Sequence, residues 1–123
     1  MAEGQSISQL ANMARAALRQ AQAGRGGARV KAADEGLRTA EQIRIAAKGI
    51  KDPQGARYLQ QLRGDLLALL CSGLTEIAPQ LVRVSDPGKR RVAITTLRQL
   101  IGDHGLKPRD IGITDTDLKE PSP

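Results

Sequence analysis

Three consecutive cations, Lys89, Arg90 and Arg91, follow the pair Asp86-Pro87. Aspartate is a good helix N-cap and proline suits the first helical position, so the triplet falls in a first helical turn. That end of a helix leaves backbone N–H groups unbonded and carries a partial positive charge. Cations there oppose the field of their own helix. They make chemical sense if an anion such as a phosphate is held at that end. The plain alternative is a solvated charged turn, and on sequence alone the two readings stand level. Arg25, Arg29 and Lys31 form a second basic group around Gly24-Arg25-Gly26-Gly27. Arginines among glycines can follow a nucleic-acid backbone without reading its bases. Arg15 and Arg19, one turn apart, could extend that group.

Other chemistry finds few residues to work with. His104 is the only histidine and Cys71 the only cysteine, so no metal centre can be built on the two types. His104 falls in the last turn of a helix, where a cation meets the negative end of the dipole. Cys71 closes the apolar run Leu66-Leu67-Ala68-Leu69-Leu70-Cys71 and reads as a small buried hydrophobe. Ser72 lacks the glycine two residues earlier that a nucleophile elbow requires. Gly24-Arg25-Gly26-Gly27 lacks the Gly-Lys-Ser/Thr of a phosphate loop and joins two helices instead of following a strand. Neither a catalytic residue, a metal ligand set nor a cofactor is expected. Tyr58 is the only aromatic, so a platform for stacking single-stranded bases is excluded; backbone contacts to duplex DNA or structured RNA are not.

Lys and Arg number 19 against 13 Asp and Glu, a net charge of +6, which favours nucleic acid, an anionic surface or an acidic protein as partner. The longest apolar run is far too short to span a bilayer, so no membrane is expected. The first residues show no charged start followed by an apolar stretch, and a lone cysteine gives no sign of an oxidising compartment; the expectation is a cytoplasmic protein.

The elements that must position these residues are helices. Leu, Ala, Ile and Val make up the apolar content, and aromatic strand formers are nearly absent. A first helix starts after Ser6, with Ser6 and Gln9 in capping-box spacing, and ends at Gly24. Its inward stripe is rich in alanine and the glycine loop frees it, so this helix is expected to pack less tightly than the others; alanine faces also permit close helix approach, including a homodimer. A second helix runs from about Val30 to Lys48, with Lys31–Glu35 and Asp34–Arg38 spaced as ion pairs. Asp52-Pro53 opens the strongest apolar face, Leu59, Leu62, Leu66, Leu69 and Leu70, expected to be the central helix over 53–72. A short helix from Glu76 to Val84 is interrupted by Pro79. Asp86-Pro87 opens the last helix, which Gly105 ends. The two Asp-Pro openings, 34 residues apart, read as a shared helix-start signature and not as a structural repeat.

A helix-turn-helix over residues 91–118 fails on its second half, which carries Gly112 and the acids Asp115 and Asp117. Arg109-Asp110-Ile111-Gly112-Ile113-Thr114 with Asp117-Leu118 resembles the ending of the short arginine-rich YjiS-like domains of bacteria. Asp115 stands where those domains carry a basic residue, and the likeness implies no function here. The expected architecture is an all-α, single-domain bundle of four or five helices over residues 1–123. Residues 24–29 are expected as a flexible loop, and 1–5 and 114–123 as frayed ends. The expected function is non-enzymatic: nucleic-acid binding through Lys89, Arg90, Arg91, Arg25, Arg29 and Lys31, or a helical interaction module (adaptor, chaperone or regulatory subunit) that meets an acidic or apolar partner.

Overall fold

A computed structural model describes residues 6–119. The helices are α1 (Ile7–Ala23), α2 (Gly26–Ala46), α3 (Pro53–Leu81) and α4 (Pro87–His104), followed by single 3-10 turns at Pro108–Ile111 and Thr116–Leu118. No strand occurs among the described residues, and no helix there is long and apolar enough to cross a membrane. The all-α bundle is as expected, with four helices and the longest, α3, at its centre.

Local chemistry sets the helix starts. Ser6 Oγ accepts the Gln9 amide while Gln9 Oε1 accepts the Ser6 amide, a complete capping box. Asp52 caps α3 through the Gly55 amide, and Asp86 caps α4 through the Gly88 amide. Both are followed by proline in the first turn, where its missing N–H costs nothing. Gly105 closes α4 at φ 66°, a left-handed conformation that glycine adopts without a Cβ penalty.

Two expectations about helix limits are corrected. The loop expected over 24–29 shrinks to Gly24 and Arg25, and α2 begins at Gly26. Gly26 has φ +53° and turns the chain sharply, and its amide donates to the Glu76 carboxylate of α3. The second correction is at Pro79. The segment expected as a separate short helix continues α3 without a break to Leu81. Pro79 disturbs only the last turn, and Gly112 of the C-terminal segment packs against its ring.

The core explains the antiparallel arrangement of α1, α2 and α3. Leu62, Leu66, Leu70, Leu74 and Ala78 of α3 are buried along one stripe. α2 lies between α1 and α3 and buries two adjoining stripes, from Val30, Ala33, Leu37 and Ala40 to Ala32, Gly36, Thr39 and Ile43. α1 faces it with Leu10, Ala14, Ala17 and Ala21. A Cβ on Gly36 would come within 3.2 Å of Ala17 and 2.7 Å of Leu66, so three helices meet closely there. A Cβ on Gly73 of α3 would meet Val30 and the Gly26 carbonyl. The alanine stripe therefore packs α1 tightly, where a looser first helix was expected.

The segment after α4 also differs from expectation. Ile111, Ile113 and Leu118 are buried, and Thr114 and Asp117 bond to each other's amides. Residues 114–119, expected as frayed, are instead held by Leu118, just after the buried Ile111 and Ile113. Residues 1–5 and 120–123, also expected as frayed, lie outside the described residues.

Candidate functional site

The antiparallel path brings both basic groups to one end of the bundle. The α1–α2 connection sits against Gly73 and Glu76 of α3. α3 ends a few residues later at Leu81, and the chain turns through 82–86 into α4. Segments 24–31 and 82–91 thus open at the same end, carrying Arg25, Arg29, Lys31, Arg83, Lys89, Arg90 and Arg91 against one carboxylate of their own, Asp86. Glu76, bound to the Gly26 amide, adds a second acid beside them.

The cations at this end do not have equal roles. Arg29 is fully employed. Its Nε donates to the Ala21 carbonyl at 2.9 Å, a second nitrogen donates to Ser72 Oγ at 2.8 Å, and a third reaches the Gln22 carbonyl. These are terminal carbonyls of α1, which have no partner within their own helix. Arg29 therefore ties α1 to α3. Arg90 turns back as well, donating to the Val84 carbonyl at 3.3 Å. Successive helix residues point about 100° apart, as 3.6 residues per turn requires, so Lys89, Arg90 and Arg91 cannot share one face. With Arg90 turned inward, Lys89 and Arg91 flank it, both exposed. Lys31 is exposed too, while Arg25 and Arg83 are open to solvent in part or in full at the two turns. Lys31 lies one turn before Asp34, which bonds the C-terminal end of α4 at His104, so Lys31 is set back along α2 from the Lys89–Arg91 turn. Arg15 does not join this group: its guanidinium lies over the Tyr58 ring, 5.8 Å from the centroid.

A second cluster was not legible as a unit in the sequence. Asp34 of α2 accepts from His104 Nε2 at 2.7 Å and from Arg38 Nε at 3.1 Å, and Arg38 also donates to Asp103 at 3.0 Å. The four side chains fasten the end of α4 to the middle of α2. Asp34–Arg38 is the expected pair four residues apart; the links to Asp103 and His104 span some seventy residues of sequence. Only 9% of the His104 side chain is exposed, so its role is set by Asp34 as well as by the helix end. Among the described residues no three His, Cys, Asp or Glu side chains gather as a metal site.

Cys71 is half-buried, and burial, reinforced by the negative charge of Asp110, pushes its thiol pKa up. The residues that read in sequence as too poor a second helix for a DNA-reading motif form only the 3-10 turns at 108–111 and 116–118.

No protein-family model matches the chain, and neither a curated protein nor a solved structure shows significant similarity to it. The functional reading rests on the geometry.

Proposed function

We propose that the protein is a non-enzymatic nucleic-acid-binding accessory protein that grips the phosphate backbone at one end of its bundle. The observation that supports this reading is that the connections carrying the two basic segments, 24–31 and 82–91, both open toward that end. Arg25, Lys31, Arg83, Lys89 and Arg91 contact phosphates, Lys89 and Arg91 from opposite sides of the first turn of α4; Arg29 and Arg90 hold the segments in place. The ligand is a duplex or a structured RNA. The one aromatic, Tyr58, is engaged with Arg15 on other parts of α3 and α1, so bases find no stacking surface at the basic end. Phosphate contacts of this kind give affinity without sequence choice. A mobility-shift titration with a mixed-sequence duplex tests it: complexes form in about 50 mM salt and fall away steeply by about 200 mM. No complex at the lower salt overturns the reading.

A different observation favours a second reading, an interaction module. Ile45 and Ile50, near the α2–α3 turn, are 59% and 58% exposed, and Leu59 of α3 is only partly covered. An apolar partner surface or a second copy of the chain would bury them. Sedimentation velocity on Ile45→Asp and Ile50→Asp against the parent chain separates the readings. Loss of a self-associated or partner-bound species supports the module, and unchanged sedimentation argues against it.

A further inference from the structure

α4 covers only part of the face that α2 and α3 present to it. It stops at His104, and beyond that point the two longer helices leave an open groove of about 760 Å³. That volume is within the range of small-molecule sites. Its apolar lining is the almost fully buried Leu37 and the partly buried Leu67, with the exposed Gly64 beside them; the rest of the lining is polar. Gly64 is in the interior of α3, where glycine is a poor helix former. A Cβ there would meet nothing within 4 Å, so neither packing nor a left-handed turn requires glycine. Its effect is to keep the floor of the groove open.

The charges around the groove are hydrogen-bonded to one another, except that Arg63 meets Glu41 only as a long ion pair. Asp103 is bonded to Arg38, and Asp34 to both His104 and Arg38. Glu41 is held by Arg44 through two hydrogen bonds, and that guanidinium keeps its carboxyl pKa below the usual range. Arg63 remains. Its nearest carboxylate oxygen, on Glu41, is 3.9 Å away and already engaged with Arg44. A guanidinium with unused donors thus lines a groove whose apolar part is Leu67, with Gly64 open beside it.

We infer that this groove binds a small amphipathic organic anion, its carboxylate on Arg63 and its apolar body over Gly64 between Leu37 and Leu67. A planar fork of N–H donors suits a carboxylate, and the body covers the exposed part of Leu67 beside Gly64. Inorganic phosphate would satisfy Arg63 but not the apolar part. The site is separate from the basic end and does not depend on the nucleic-acid reading.

The probe is 8-anilinonaphthalene-1-sulfonate, a fluorescent anion with an apolar body, titrated into the intact chain and then displaced with octanoate or with phosphate at matched ionic strength. The expected result is one saturable site per chain, emptied by octanoate and not by phosphate. Arg63→Gln weakens octanoate about tenfold, the scale of one charged hydrogen bond removed. Gly64→Leu fills the groove and removes saturable binding while the far-ultraviolet circular dichroism stays helical. Arg57→Gln, on exposed surface, leaves binding unchanged. Absence of a saturable site, equal displacement by phosphate, or full binding by both the Arg63 and Gly64 variants overturns the proposal.

Discussion

Arg29 and Lys31 are two positions apart and identical in formal charge, yet their surroundings separate them. Arg29 bonds two carbonyls and a hydroxyl, so Arg29→Ala leaves three partners unmatched and is expected to cost about 1–3 kcal/mol in denaturant unfolding. Lys31→Ala touches only an exposed ammonium and is expected to change stability by less than about 0.5 kcal/mol. The sequence shows the cations but not this division, because the carbonyls that Arg29 meets depend on how α1 ends. Cys71 carries a pH prediction. The folded chain holds the thiol proton more tightly than the unfolded chain does, so the contribution is intact below the ordinary thiol pKa. It is lost as pH rises through the raised value. Alkylation of the native chain should therefore lag behind that of the denatured chain until clearly alkaline pH; equal rates near pH 8 would contradict the shift.

Helix starts are the best-read elements. Ser6, Asp52 and Asp86 each act through an amide two or three residues away, so the signal is local and survives folding unchanged. Features fixed by distant partners are read poorly. Gly26 begins α2 because Glu76, fifty residues on, takes its amide, and the C-terminal segment is ordered because Ile111, Ile113 and Leu118 find the core. Glycines show the same limit: Gly64 and Gly73 look alike in sequence and lie in one helix, but only at Gly73 is the space taken, by Val30 and the Gly26 backbone. Gly73→Ala is expected to destabilise by about 1–3 kcal/mol through overpacking. Gly64→Ala is expected to stabilise by about 1 kcal/mol through helix propensity. Thermal unfolding of the two variants should shift in opposite directions. The α2–α4 fastening is a further unit of this kind: Asp34→Ala removes the acceptor shared by His104 and Arg38, and faster amide exchange in the last turns of α4 is the expected sign.

At the scale of the whole molecule, the bundle has two unlike regions. Basic segments crowd the end where α1 joins α2 and α3 joins α4, while bare isoleucines and an open groove lie toward the α2–α3 turn. The composition foretells a basic helical protein, but only the antiparallel path of α1, α2 and α3 turns the connections that carry residues 25–31 and 83–91 toward the same end. The central claim is that these residues form one phosphate-binding end, and the salt dependence of duplex binding tests it most directly. Removing one cation from a phosphate lowers the slope of log affinity against log salt by about one. Lys31→Gln and Arg91→Gln, one from each segment, should each lower it by about that amount, and together by the sum. A slope that neither variant moves, with affinity unchanged, would contradict the claim.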